Sequence, residues 1–202
     1  MEHAPDETKT SEKLVFSPEK FKDNFPDGEI NEISSEQITD NAMDFFERKS
    51  SMYIHPKNYK PGNFRSFYEI RHGDESKTYV AEQIKTYDSG EQEINTYFVD
   101  IYNDEIAGYS ELRLGITNER EYFKNKPFVG FTKTYSKFGK RNLAERRLYM
   151  MNAFSKMRYD FPIYSDTVMT DRPKEMWERL VSERKAKKIK EGEKDRYVLG
   201  SD

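Results

Sequence analysis

The sequence has no cysteine, so disulfides and thiolate metal sites are excluded and a reducing compartment is the simpler setting. Histidine is scarce. His3, His55 and His72 are scattered without the spacing of a metal centre, and none follows position 72, which leaves a Ser-His-Asp triad without a basis in the C-terminal half. No apolar run approaches the length of a membrane span, so no membrane partner is expected. Glu2, Asp6 and Glu7 stand where a secretory signal would carry its basic and apolar regions, and a cytoplasmic location is expected. Hydrophobic residues make up only 35% of the chain, matched by 35% charged residues; the aromatics, 14 Tyr and 14 Phe, must therefore supply much of the core.

The net charge is −3 and unevenly spread. Residues 1–40 hold eleven acids against four bases, whereas residues 141–202 hold fifteen bases against eleven acids. That asymmetry fits a local anion site better than a general nucleic-acid surface. Phe131, Tyr135 and Phe138 interleave with Lys133, Lys137 and Lys140 in the way of a base-stacking platform, but alternating strand aromatics more often pack a core.

Residues 1–13 are polar and aperiodic and read as a disordered tail; residues 14–62 read as an arm, irregular up to Ile33, with a short helix from Ser34 to about Arg48 and a loop from Ser50 to Gly62. The main domain spans residues 63–202. Strands are expected at Phe64–Ile70, Ser76–Tyr87, Glu93–Tyr102 and Glu105–Leu114, joined by turns into an antiparallel meander. In the third, Ile94, Thr96, Phe98 and Asp100 face one way and Asn95, Tyr97, Val99 and Ile101 the other. In the fourth, Ile106, Gly108, Ser110, Leu112 and Leu114 share a side.

The stretch from Lys126 to Leu199 organises the rest. A strand over Pro127–Tyr135 leads through a basic turn, Ser136–Arg141, into a helix from about Asn142 to Tyr159; Ala144, Leu148 and Met151 recur on one side of it. A strand over Phe161–Val168, a helix from Pro173 with Met176, Trp177, Leu180 and Val181 as its apolar stripe, and a last strand at Tyr197–Leu199 follow. Free amides and the positive dipole end would meet an anion where the basic turn enters the first helix. The alternative for the same residues is a solvated loop that happens to be basic.

In this order of elements the chain resembles the GNAT superfamily of acetyl-CoA-dependent N-acetyltransferases, in the divergent form common in bacteriophages. The resemblance covers roughly residues 93–199 and rests on Arg141–Tyr149, on Ile163-Tyr164-Ser165-Asp166, on Met176-Trp177-Glu178-Arg179-Leu180 and on the closing Arg196–Leu199. It implies an α+β fold, a mixed, mostly antiparallel twisted sheet with helices on both faces, of the acyl-CoA N-acyltransferase-like kind. It implies transfer of an acetyl group from acetyl-CoA, as co-substrate, to an amine of a small molecule or protein, without a metal, in the host cytoplasm if the chain is phage-encoded.

By the same resemblance the backbone of Phe128, Val129, Gly130 and Phe131 would pair with the pantetheine arm. Lys137, Gly139, Lys140, Arg141 and Asn142 would hold the pyrophosphate, with Ala144 closing that loop. Glu111 and Asp166 would be candidates for the general base, and Ser165 for a hydrogen-bonding group. Two departures stand out: aligned on Ala144, Asn142 takes the loop's glycine position, and Trp177 lies near the place of the family's Tyr. They keep open a second reading, a fold-mate without chemistry that serves as a binding or assembly protein of a phage. Self-association is left open as well.

Overall fold

The computed structural model describes residues 16–52, 59–73, 76–87, 89–115, 126–166 and 169–200; the tail expected at residues 1–13 lies outside them. Ser17 caps the first helix, α1 (Pro18–Asn24), by accepting a bond from the Lys20 amide, with Pro18 preset for the first turn. β1 (Gly28–Ile33) follows at once. The arm to Ile33 is thus ordered where irregularity was expected, although the Ser-Pro-Glu signal for α1 stands in the sequence. Ser34 and Gln37 form a capping box over a short 3-10 turn, after which α2 runs from Asp40 to Met52.

Then come the long strands β2 (Tyr59–His72), β3 (Lys77–Tyr87), β4 (Gln92–Tyr102) and β5 (Glu105–Gly115), followed by β6 (Phe128–Thr134). β2 starts inside the expected loop because register shifts near Pro61 and Phe64 absorb the proline. A 3-10 turn over Ser136–Arg141 leads into α3 (Leu143–Tyr159). β7 has only two residues, Tyr164–Ser165, in place of the strand expected over Phe161–Val168, since Pro162 precedes it and the chain leaves the sheet at Asp166. α4 (Asp171–Ser182) starts after Thr170 and is followed by a hairpin of β8 (Ala186–Glu191) and β9 (Lys194–Leu199). β8, with Lys187, Lys188 and Lys190 among its six residues, is an edge strand whose charges discourage pairing with other chains.

All nine strands form one sheet in the order β1-β2-β3-β4-β5-β6-β7-β9-β8. Every neighbouring pair is antiparallel except β6 and β7, which α3 connects as a crossover. The fold is thus α+β, with helices on both faces. On one face, Ile94, Leu112 and Phe98 pack against Phe21 of α1, Leu148 and Phe154 of α3 and Leu180 of α4. On the other, Tyr97, Val99 and Ile101 pack against Ala42, Phe45 and Phe46 of α2. The alternation expected for β4 holds on both sides. In β5 it breaks: Ile101 lies opposite Ile106 and Asp100 opposite Gly108, so Ala107 is an extra residue and Ile106 packs on the α2 side, away from Leu112.

α3 is buried nearly all round, which is why Arg147, Asn152 and Arg158 lie inside along with its apolar residues. Arg147 meets Asp100, and its Nε donates to Ser110 Oγ at 2.9 Å while its Nη2 reaches the Lys133 carbonyl at 2.9 Å and Thr134 Oγ1 at 2.7 Å. At the other end of the helix, Arg158 bonds Glu82 at 3.0 Å, and Tyr159 donates to the same carboxylate at 2.7 Å. Gly108 makes room for the first of these: a Cβ there would stand 2.6 Å from Arg147 Nη1 and 2.6 Å from the Lys133 carbonyl.

Candidate functional site

The sheet opens at its one parallel pair. Among the described residues β6 and β7 are matched only at Phe128 with Tyr164 and Val129 with Ser165. On the other edge of β6, Val129 lies opposite Leu112 and Phe131 opposite Glu111, which leaves Gly130 as a bulge. The glycine lets the Arg113 side chain lie close, since a Cβ would sit 2.8 Å from its Nε and Arg113 would have to shift. The gap between the strands is a groove of about 250 Å³, walled by Gly130 and Thr132 of β6, Leu148 of α3, Asp166, and Met176 and Trp177 of α4. Trp177 closes it from below, 2% exposed and stacked on Tyr197 at 5.9 Å between ring centres.

At the end of β6 the chain turns into α3. Asn142, just before the helix, is left-handed at φ 52°, a conformation asparagine tolerates better than other side chains, and it makes no side-chain cap. The first amides of α3 therefore keep no donor-satisfying group from Asn142. Gly139 lies exposed in the 3-10 turn and Ala144 is half-buried in the first turn of the helix. Lys137 is paired with Glu105 at 2.6 Å on the surface, which draws its charge away from the helix start. The side chains of Lys140 and Arg141 lie outside the described residues.

Comparison of the chain with protein-family models, with curated proteins and with solved structures returns no match. The site must be read from its own geometry.

Ser165 and Asp166 fall at the mouth of the gap with different roles. Ser165 is fully buried; its hydroxyl accepts from the Tyr197 amide at 3.1 Å and donates to the Asp166 carbonyl at 2.9 Å, so it fastens β7 to β9. Asp166 is half-buried and lines the groove. Phe128 and Val129 are buried, whereas Phe131 borders the groove yet is 39% exposed and stacks its ring on Tyr109 at 5.3 Å, on the second face of the sheet, where α2 packs.

Glu111 lies on that second face as well, in a buried polar cluster that sequence reasoning did not assemble. Asn95 Nδ2 donates to its Oε1 at 3.0 Å, Arg113 Nη2 meets its Oε2 at 2.8 Å, and Lys85 Nζ stands 3.9 Å from Oε1. Burial holds the Lys85 ammonium below its usual range, with Arg113 adding to the effect against the pull of Glu111. Burial likewise raises the Glu93 carboxyl, against Arg113 and Lys85, and pushes the Tyr87 hydroxyl up to about 12. The signal in the sequence is a polar residue at an inward position near the end of each of three successive strands, but only the register brings them together. Among the described residues, no group of three or more His, Asp or Glu is arranged to hold a metal ion.

Glu93 supplies a test by pH. Its folded-state pKa lies above the ordinary 4.5, so the folded protein binds the extra proton in the interval between the two values, and stability falls as pH rises through it. Glu93→Gln removes that titration. Denaturant unfolding of both proteins from about pH 4 to about pH 8 should show the glutamine variant gaining on the wild type as pH rises. Parallel curves would refute the assignment.

Proposed function

We propose that this protein is an acetyl-CoA-dependent N-acetyltransferase of the GNAT type, moving an acetyl group to an amine. The observation that carries this reading is the groove at the parting of β6 and β7, beside the bulge at Gly130. The strand order β5-β6-β7-β9-β8, with α3 crossing between the parallel pair, supports it. So does the left-handed Asn142, standing where the family has glycine.

In this reading β6 offers its edge beyond Val129, unpaired to β7 among the described residues, to the amides of the donor's pantetheine arm. The start of α3 faces the donor's phosphates with free amides and its positive dipole end. The groove walls from Leu148, Met176 and Trp177 exclude water around the thioester end. Catalysis then consists of positioning the amine against the thioester carbonyl and removing its proton as the thiolate leaves. Of the two carboxylates, Asp166 is better placed to take that proton, since it lines the groove, whereas Glu111 lies in the buried cluster with Asn95, Arg113 and Lys85 and not among the groove's walls.

A second reading, a binding or assembly protein on the same fold, is favoured by one observation: the Glu111 carboxylate and the Ser165 hydroxyl are both engaged within the structure. The two readings separate in one experiment. Acetyl-CoA should raise the melting temperature, by about 2.7 kcal/mol of added stability at a hundredfold excess over its Kd. Incubation with a panel of primary amines should then release free thiol. A thermal shift without thiol release selects the binding protein. No shift at millimolar acetyl-CoA removes the donor site from both.

A further inference from the structure

A carbonyl oxygen that enters the groove gives up its bonds to water. The walls from Val129, Leu148, Met169, Met176 and Trp177 are apolar, so the oxygen must find a hydrogen-bond donor there or go unsatisfied. Among the polar side chains on the walls, the Asp166 carboxylate only accepts. The hydroxyls of Thr132 and Thr170 are the side-chain donors that remain.

Thr132 is the one whose direction the fold has set. It lies on β6 opposite Ser110 of β5, and the two hydroxyl oxygens are 2.6 Å apart. The direction of that bond follows from a third residue. Arg147 Nε can only donate, and it bonds Ser110 Oγ at 2.9 Å. Ser110 is fully buried, and these two are its side-chain partners among the described residues. Were Ser110 to accept from both, its own hydrogen would be buried without an acceptor. Ser110 therefore donates to Thr132, and the Thr132 hydrogen is left over. Among the described residues no other group bonds the Thr132 hydroxyl, which is half-buried at the groove wall. We infer that Thr132 is a hydroxyl donor turned into the groove, where it holds a carbonyl oxygen of the acetyl-pantetheine arm. The inference rests on the acetyltransferase reading above and adds to it a side chain that the sequence did not single out.

The chain of bonds behind Thr132 is anchored at its far end. Arg147 Nη1 meets Asp100, which also accepts from Thr78 Oγ1 at 2.7 Å, and Arg147 Nη2 holds the Lys133 carbonyl and the Thr134 hydroxyl. With all three nitrogens of the guanidinium engaged, Nε cannot turn away from Ser110. The cation at the head of the chain polarises both hydroxyls toward the groove. A donor fixed in advance needs no reordering when the ligand arrives. Thr170, just before α4, makes no side-chain cap and has no such anchor among the described residues.

The test titrates acetyl-CoA and CoA calorimetrically into the full chain and three variants. Thr132→Val keeps the shape and removes the hydroxyl, Thr132→Ser puts a hydroxyl back, and Thr170→Val removes the other one. Thr132→Val should bind acetyl-CoA about tenfold more weakly, the loss expected when a carbonyl goes without its hydrogen bond. Thr132→Ser and Thr170→Val should bind it as the wild type does. CoA lacks the thioester carbonyl and so identifies the atom held. Unchanged CoA affinity in Thr132→Val assigns the bond to the thioester oxygen, and an equal loss assigns it to an amide oxygen of the arm. If Thr132→Val binds acetyl-CoA with wild-type affinity, or if serine fails to restore what valine lost, the inference is overturned and the acetyltransferase reading stands. A loss confined to Thr170→Val overturns it likewise. If the wild type binds neither ligand, the acetyltransferase reading fails and this inference fails with it.

Discussion

Replacing Arg147 with methionine should destabilise the fold by about 3–5 kcal/mol, the usual cost of leaving one member of a buried ion pair without its partner. Arg147 is fully buried and Asp100 is 1% exposed, so water cannot take over the lost bonds. Methionine keeps most of the side-chain length, which confines the loss to the charge and its hydrogen bonds. The guanidinium also satisfies Ser110, Thr134 and the Lys133 carbonyl, and each is left with one donor fewer. The double variant Arg147→Met, Asp100→Asn should recover a substantial part of the loss, since the orphaned charge is then gone. Denaturant unfolding of the four proteins in a cycle measures this. A single-variant cost below about 1 kcal/mol would mean that the pair carries no more weight than a surface contact.

Truncating Trp177 to alanine should cost a similar amount, ~3–5 kcal/mol, through the cavity it leaves against Tyr197 and Leu180. It is the only tryptophan, so its fluorescence reports this site alone. Native emission should be blue-shifted and resistant to quenching, because the ring is 2% exposed. Its other edge faces the groove, so acetyl-CoA should perturb the emission if the donor lies there. Trp177→Phe should keep most of the stability while weakening donor binding. A red-shifted, readily quenched native emission would refute the packing of α4 on the sheet and both roles of Trp177 together.

Much of the fold was legible in the chain. The two-residue period of Glu93–Tyr102 assigns each residue of β4 to the face it occupies, and the helical spacing from Ala144 to Met157 locates α3 to within a residue at either end. The meander was readable from its turns. α1 and β1 are not legible in the chain, because seven helical and six strand residues are too few for periodicity to stand out among acids and turn formers. β8 was hidden by its lysines: an edge strand with both faces partly solvated need not alternate. β7 failed in the opposite direction, since apolar residues around Pro162 suggest a longer strand than the splayed sheet can pair.

The site divides along the same line. Local chemistry is enough to mark the basic turn, the asparagine able to turn left-handed before α3, and the aromatic stripe of α4, because each depends on residues within a turn or two of one another. Only the tertiary structure joins Arg147 to Asp100, forty-seven positions apart, or gathers Lys85, Asn95, Glu111 and Arg113 from three strands. A charged residue in a sequence reads as solvated by default, and burial reverses that reading only when a partner arrives from elsewhere in the chain. The groove is of the same kind. It exists because β6 and β7 pair over only two of the described residues of each and Gly130 bulges against β5, and strand register is a property of the assembled sheet rather than of any one strand.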